Sequence, residues 1–232
     1  KKQTNNLEEL KKYIDEGNNG ITDNANDIKY DYNLNLNLYR TDTSNGIVKV
    51  NPSTVMEKLG MQQSGMAMGS DCFTELLDNQ ELNDSQYDVV AGNWPQNYNE
   101  VVLIVDENNK ISDYTLYTLG IKDQKELEEK MDAIQNDEKL ADDEQTSYTY
   151  DDLLKLSFKV LLNTDYYEKA NNMWIDKSDD EEYMKEKVDN AEEIKVVGII
   201  KQKEGSISTQ TAGEIGYLKT LKEHVINKIN EN

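Results

Sequence analysis

The sequence predicts an α+β domain in which mixed or antiparallel sheets pack against helices. One observation is the stretch Asn33–Arg40, where leucines alternate with polar residues as in a half-buried strand. Another is the aliphatic run Val101–Val105. The third is an apolar stripe of helical spacing near the C-terminus, made of Ile215, Leu218, Leu221, Val225 and Ile229. Strands and helices alternate irregularly, with hairpin turns between them, which favours α+β over a doubly wound parallel sheet.

The N-terminal part is predicted to contain a helix followed by a β-hairpin. Three apolar residues at helical spacing indicate a helix from Asn6 to Ile14. A turn over residues 41–46 then joins the strand Asn33–Arg40 to a partner strand, Ile47–Val50. This arrangement predicts an antiparallel pair near the start of the sheet.

The next segment is predicted to contain a short helix and, after a loop, a helical turn. Asn51–Pro52 fits an N-cap followed by proline at the first helical position, in a short helix that ends at Gly60. Phe73–Leu77 is interpreted as a helical turn. Tyr87–Ala91 is short and apolar and leads into Gly92, directly before the run Val101–Val105.

The second half of the chain alternates helices with strands. Helices are predicted at Asp113–Leu119 and Lys125–Ile134, before an acidic, linker-like tract over residues 135–148. Thr149 and Asp152 fit a capping box. The later elements are a strand in Leu156–Leu162, a helix Glu182–Ala191, a strand Ile194–Ile200 and a helical tail from Gly213.

Composition limits the classes of partner. The 232 residues carry a net charge of −21, and Arg40 is the only arginine. Such a charge repels nucleic acid and anionic lipid and would attract cationic ligands, although acids also serve simply to keep a surface soluble. No apolar run reaches the roughly 18–20 residues of a membrane-spanning helix. Cys72 is the only cysteine, and its apolar neighbourhood predicts a buried, inert thiol.

No recognisable pattern of catalytic or ligand-binding residues is found. His224 is the only histidine and lies beside the apolar stripe of the last predicted helix, where a surface or interface role is expected. No nucleophile elbow, P-loop or GxGxxG motif occurs, and the acidic tracts at Asp106 and Asp176 fail the EF-hand spacing. The sequence therefore predicts no catalytic residue, no cofactor and no metal site, and hence no enzyme.

The passage GNWPQNYNEVVLIV is predicted to be structural. Pro95 fixes its own φ and pushes Trp94 towards an extended conformation, so the pair makes a rigid bend before the strand Val101–Val105. Trp94 is then a large apolar anchor for that strand. Asn99 and Glu100 are also assigned structural roles, and Glu100 is expected to hold a hydrogen bond where the strand begins.

Two tracts are the candidates for contact with a partner, because both are expected to be exposed loops. The first is the glycine- and methionine-rich loop that contains Gln62, Met66 and Met68. Its methionines either form a flexible contact surface for a partner, since methionine repacks easily, or are ordinary apolar side chains of a loop. The second is the acidic tract Asp142, Asp143 and Glu144.

Four passages together resemble the extracytoplasmic domains of MacB/FtsX-type ABC transporter permeases, in particular the large permeases of low-GC Gram-positive bacteria. They are Tyr87–Pro95 continued by Asn99–Leu103, Ile111–Gly120, Glu193–Ile200, and Gly213–Tyr217 followed by Leu221 and Val225–Ile226. They fall in the family's order and span roughly residues 30–230. Each is a structural signature without chemistry of its own.

The resemblance implies a MacB-like periplasmic-domain fold at the extracellular face of the cell membrane. Its parts would be a complete or partial porter-like portion over residues 1–90, an inserted α/β subdomain over residues 91–212, and a C-terminal helix over residues 213–232 that leads back towards the membrane. The implied partners are the transmembrane helices of the permease and a cytoplasmic ATP-binding subunit, with a dimer in the full transporter as one option and no nucleic acid.

The implied function is non-catalytic. The domain would relay ATP-driven movement, or contact a substrate or accessory protein, in export of or resistance to peptides or amphiphiles; the acidic surface suggests a cationic peptide as substrate. Two alternatives from other classes are a secreted or lipid-anchored surface binding protein and a hydrolase. The hydrolase predicts a deep cleft with convergent polar groups and perturbed carboxylates.

Overall fold

The computed structural model of the chain describes residues 5–17, 19–55, 71–136, 147–206 and 212–231. The helices are α1 Leu7–Asp15, α2 Gln80–Gln86, α3 Asp113–Thr118, α4 Gln124–Gln135, α5 Tyr150–Leu153, α6 Glu181–Asn190 and α7 Lys219–Glu231. The strands are β1 Asn37–Arg40, β2 Lys49–Asn51, β3 Phe73–Glu75, β4 Tyr87–Gly92, β5 Glu100–Val105, β6 Ser157–Leu161, β7 Tyr167–Ala170, β8 Met173–Asp176, β9 Glu192–Gln202 and β10 Ile215–Tyr217. The chain is therefore α+β, as the sequence predicts.

In the described part of the chain, eight strands form one mixed sheet organised around β9. The order is β2-β1-β6-β9-β5-β10-β3, and β4 also pairs with β9. β9 is long enough to hold two antiparallel partners on one edge, because Glu192–Lys195 pairs with β6 and Gly198–Gln202 pairs with β4. Its other edge pairs with β5 in parallel.

The main core covers one face of this sheet. Val101, Leu103 and Val105 of β5 are almost completely buried there, together with Leu221 and Val225 of α7. Burying a side chain of this size stabilises the fold by about 1.5–3 kcal/mol relative to leaving it exposed. The apolar stripe found in the sequence therefore fixes α7 against the sheet.

Two smaller apolar clusters are formed by side chains on the opposite face of the sheet. Val102 and Ile104 of β5 pack with Leu76, Tyr87 and Ile200, and Trp94 and Leu218 lie against them. Further along, Met184 and Val188 of α6 pack with Tyr39 and Leu161. β5 is therefore buried on both faces, which explains why its sequence is a continuous aliphatic run without alternation.

Local sequence signals set several helix ends. Ser112 caps α3 by accepting a hydrogen bond from the Thr115 backbone N–H, 3.1 Å away. The capping box predicted from Thr149 and Asp152 is present at the start of α5. Asp180 caps α6 by accepting a hydrogen bond from the Tyr183 backbone N–H at 3.1 Å. These side chains satisfy backbone donors that have no partner within the helix.

Three predicted elements differ from the structure. Phe73–Glu75 is strand β3 and not a helical turn, because it pairs in parallel with β10. Asn51 ends β2, precedes a cis bond to Pro52, and binds Leu36 and Cys72 through its side chain, so it does not act as the expected N-cap. The tail expected to be helical from Gly213 first forms strand β10, and its helix begins at Lys219.

Other boundaries move by a few residues. The predicted strand Asn33–Arg40 is shorter, because only Asn37–Arg40 pairs with β2 and β6. Residue 90, the end of the first predicted segment, lies within β4, and strands from residues 1–90, 91–212 and 213–232 all join the one sheet. The division into domains itself stays a prediction.

A separate hairpin, β7–β8, was not predicted. It forms its own two-stranded sheet within the polar tract that follows β6. Within the described part of the chain, none of the helices combines the length and the apolar character that crossing a bilayer requires.

Cys72 is buried, as expected. Its Sγ–H donates to the Val50 carbonyl oxygen at 2.7 Å, and burial raises the pKa of the thiol well above its ordinary range. Because the thiolate is the reactive form, this cysteine is chemically protected in the folded chain.

Candidate functional site

The candidate site is built on the loop of residues 93–99, which joins β4 to β5. The loop begins where Gly92, with a φ of 67°, lies opposite Gly198 in the β4–β9 pair. The backbone N–H of Asn93 then donates to the carbonyl oxygen of Val197 at 3.0 Å. The start of the loop is thus held directly against the central strand.

Trp94 and Pro95 fix the path of the loop. Pro95 is buried, and Trp94 is half-buried against the cluster that contains Val102 and Ile104 of β5. At the other end, the carbonyl oxygen of Asn99 accepts a hydrogen bond from the backbone N–H of Lys195 at 2.9 Å. The loop is therefore attached to the sheet at both ends and along its apolar side.

Glu100 closes the loop with its carboxylate. One oxygen accepts the backbone N–H groups of Gln96 and Asn97 at 2.7 and 3.0 Å, and the other accepts the Asn97 side-chain amide at 2.9 Å. The Asn97 amide, followed by the backbone N–H of Gln96, lowers the pKa of Glu100 below its ordinary value. The hydrogen bonds of Glu100 are thus local to its own loop.

The loop places Tyr98 on the only histidine of the chain. The two rings stack with centroids 3.9 Å apart and planes 20° apart. The Nε2 atom of His224 lies 2.7 Å from Glu192 Oε2, and the Tyr98 hydroxyl donates to the same oxygen at 3.5 Å. The cluster therefore joins three elements, namely the β4–β5 loop, the start of β9 and α7.

A cavity of about 270 Å³ lies beside this cluster, between α6, α7 and the ends of β6 and β9. Its apolar wall includes Val160, Leu162 and Val225, and its polar groups include Lys187 and Lys228. This volume lies just below the roughly 300–1,000 Å³ that is typical of small-molecule sites, so it suits a small ligand.

The cluster is a set of hydrogen-bonding groups centred on one carboxylate oxygen of Glu192. Burial, and then the Glu192 carboxylate, raise the pKa of Tyr98, so its phenol stays protonated at neutral pH and donates a hydrogen bond. The single carboxylate of Glu192 holds His224 and Tyr98 together. The arrangement can orient a small polar ligand, and it equally serves to fasten α7 to the sheet.

A second polar region lies at the edge strand β3. Asp71 and Glu75 line a cavity of about 120 Å³ together with Lys29 and Lys222. Burial raises the pKa of both carboxyl groups, and the nearby Lys222 opposes that rise in both. Carboxyl groups with raised pKa values in a cleft are what the hydrolase alternative predicts.

The N-terminal segment supplies a structural reason for these raised pKa values. Asp27 accepts the backbone N–H of Asp78 at 2.8 Å, and Asp31 lies 3.3 Å from the Nζ atom of Lys222. Tyr30 also donates to Asp15 of α1 at 2.7 Å. The segment that follows α1 therefore lies along the β3 end of the sheet. There it partly shields the carboxylates of Asp71 and Glu75 from water.

The predicted contact residues Gln62, Met66, Met68, Asp142, Asp143 and Glu144 lie outside the described residues. Tyr98 and Glu192 were missed by sequence reasoning. Tyr98 lies within the passage that was assigned a structural role, but nothing in the sequence connects it to His224.

Within the described residues, no three side chains of histidine, cysteine, aspartate or glutamate form a group that could hold a metal ion. Comparisons with protein-family models, with curated proteins and with solved structures found no significant match. Function therefore has to be inferred from the residues of this chain.

Proposed function

We propose that this chain is a non-catalytic extracellular domain of a MacB/FtsX-type ABC transporter permease, with a MacB-like fold. In this proposal it relays ATP-driven movement, or contacts a substrate or accessory protein, during export of or resistance to peptides or amphiphiles. Its partners are the transmembrane helices of the permease and a cytoplasmic ATP-binding subunit. The ATP chemistry belongs to that subunit.

The observation that supports the proposal is the assembly of the family-like passages into one unit. Widely separated in the chain, they form β4, β5, β9 and β10, which are neighbours in the sheet, together with α3 and α7. Passages that carry no chemistry but build one connected block are typical of a domain whose function depends on its shape.

Close backbone contacts hold this block together. A Cβ atom on Gly213 would lie 2.2 Å from the Thr115 hydroxyl oxygen, so the passage before β10 fits tightly against α3. The backbone of Gly213 also donates to the Ile104 carbonyl oxygen at 2.7 Å. Such contacts leave little room for the passages to move independently.

The proposed relay runs through α7. Leu221 and Val225 are buried against the sheet, and His224 is bound to Glu192 and stacked on Tyr98. A displacement of α7 therefore has to move β9 and the β4–β5 loop with it, because a packed core transmits strain. In the intact permease, α7 would receive its movement from the following transmembrane helix.

Fractionation of the source cells tests the proposal. An antibody raised against the chain should detect, in the membrane fraction, a polypeptide larger than 232 residues, and a detergent extract should yield it together with an ATP-hydrolysing subunit. Detection only in the cytoplasm would refute the proposal. A membrane-bound or secreted protein of about the length of this chain would instead support a surface binding protein.

Orientation is tested by cysteine labelling in intact cells. Glu107 is exposed in the loop after β5, so Glu107→Cys should react with a maleimide that does not cross membranes. Cys72 should contribute no signal, because it is buried in the folded domain. The control is the unsubstituted protein under the same conditions. Labelling that requires lysed cells would contradict an extracellular domain.

A further inference from the structure

The β7–β8 hairpin lies outside the eight-stranded sheet and has a well-defined conformation. Its turn consists of Asn171 and Asn172, with φ values of 51° and 61°. Positive φ at both central residues is the geometry of a type I′ turn, which matches the twist of a two-residue hairpin, and asparagine tolerates it.

The hairpin exposes large apolar side chains on both faces. The exposed fractions are 44% for Tyr167, 64% for Met173, 64% for Trp174 and 42% for Ile175. Because side chains alternate along each strand and cross-strand partners share a face, Tyr167 and Trp174 lie on one face and Met173 and Ile175 on the other. One of the two tryptophans of the chain is therefore displayed to solvent.

The base of the hairpin is braced against α6. The Tyr183 hydroxyl donates to the carbonyl oxygen of Tyr167 at 3.0 Å. Lys177 lies 2.8 Å from a carboxylate oxygen of Asp180 and 3.8 Å from one of Glu168. The hairpin is thus held in a fixed direction, which lowers the entropy that binding would cost.

The surroundings of the apolar side chains are acidic. Residues 167–182 contain six acidic residues and two lysines. Lys177 is bound to carboxylates, and the Lys169 Nζ atom lies 5.4 Å from the centroid of the Trp174 ring. The β7–β8 hairpin therefore exposes apolar side chains above a negatively charged base.

We propose that the β7–β8 hairpin inserts into an apolar cleft of a partner protein whose rim carries basic side chains. An exposed tryptophan and methionine suit the buried centre of an interface, and the acidic base suits a positive rim. A bilayer fits less well, because Glu168 and Asp176 would approach the lipid and the net charge is −21. A second copy carries the same charge and is repelled.

The first experiment uses the full chain as immobilised bait in an extract of the source cells, beside a Trp174→Ser bait. The expected partner is retained only by the unsubstituted chain and is released at about 0.5 M NaCl, because its rim contacts are electrostatic. Trp174 is exposed, so the variant should keep the fold, which circular dichroism checks. If no protein distinguishes the two baits, the proposal is wrong.

The second experiment uses the purified partner and a chain labelled with 5-fluorotryptophan, which gives one ¹⁹F signal for each tryptophan. The Trp174 signal should shift on binding, whereas the Trp94 signal stays unchanged as an internal control. Trp174→Ser should weaken binding about tenfold or more, as expected for a central aromatic residue. A Trp174 signal that the partner does not shift would contradict the proposal.

The same ¹⁹F assay tests the role of the acidic base and the two competing binding partners, a membrane and a second copy of the chain. Asp179→Asn, at the acidic base, should weaken binding more than Glu107→Gln, an exposed acid in the loop after β5. Phosphatidylcholine vesicles, or a higher concentration of the chain alone, should leave the Trp174 signal unchanged. A shift with vesicles would assign the hairpin to a membrane, and a shift with chain concentration would assign it to a second copy; either result overturns the proposal.

Discussion

Gly92 and Gly198 are direct partners in the β4–β9 pair, and neither position has room for a side chain. A Cβ atom on Gly92 would lie 2.1 Å from the Val197 carbonyl oxygen, and one on Gly198 would lie 2.1 Å from the Asn93 carbonyl oxygen. The two glycines therefore set how closely the β4–β5 loop approaches the central strand.

Alanine at either glycine should strongly destabilise the fold. Gly198→Ala should lower the free energy of unfolding by about 3 kcal/mol, because a backbone oxygen has to move. Gly92→Ala should cost about 1–2 kcal/mol more, since its φ is positive. Urea denaturation measures both changes.

Gly205→Ala is the matched control for Gly92. Gly205 also has a positive φ, of 74°, but a Cβ atom there would meet nothing within 4 Å. Its substitution should cost only the backbone strain, about 1–2 kcal/mol. Equal losses at Gly92 and Gly205 would show that the close approach to β9 contributes nothing.

Glu100→Gln should destabilise the protein at neutral pH and much less in acid. The pKa of Glu100 is lowered in the folded state, so its contribution is fully present above its ordinary pKa and is lost as pH falls through the lowered value. We expect a loss of about 1 kcal/mol at pH 7, since the hydrogen bonds are solvent-accessible. Urea denaturation of both proteins from pH 7 down to about pH 3 tests this. Glu107→Gln is the control, and a loss that does not change with pH would contradict the role of the charged carboxylate.

Glu75→Gln should show the opposite pH dependence. Burial raises the pKa of Glu75 in the folded state, so the stability of the unsubstituted protein falls as pH rises from the ordinary value through the raised one. The variant lacks this titration, and its free energy of unfolding should increase relative to that of the unsubstituted protein between about pH 4 and pH 7. Thermal denaturation across this range tests it. A relative stability that decreases with pH would mean that the folded-state pKa of Glu75 is lowered.

Tyr98 and His224 should be energetically coupled. A double-mutant cycle with Tyr98→Ala and His224→Ala should give an interaction of about 0.5–1.5 kcal/mol, the range for stacked aromatic pairs. Tyr167→Ala combined with His224→Ala is the control, since Tyr167 lies on the β7–β8 hairpin, and these changes should be additive. If the destabilising effects of Tyr98→Ala and His224→Ala are additive, the ring stack does not couple the loop to α7.

The sequence predicted the elements whose signals are local. The capping box of Thr149 and Asp152, and helix α6 within one residue at each end, follow from neighbouring residues. Phe73–Glu75 and Ile215–Tyr217 were mistaken for helix because these short segments become strands only by pairing with distant ones, β3 with β10 and β10 also with β5. Pairing of distant segments leaves no periodic pattern in three residues.

The candidate site was predictable only in part. The rigid passage around Trp94 and Pro95 is evident from residue types alone, because proline restricts its own φ and that of its neighbour. The stacking of Tyr98 on His224 depends on the fold and has no local signal. The β7–β8 hairpin was missed because its large apolar residues are exposed and belong to none of the three apolar clusters of the described chain, so they show no core-facing pattern.

The central place of β9 also bears on how the protein folds. β4, β5 and β6 all pair with this one strand, which comes after them in the chain, and Gly92 meets Gly198 only once β9 is present. A growing chain that ends before Glu192 therefore has strands without their common neighbour. Folding should be slow and late in synthesis, because the contacts that matter join distant residues.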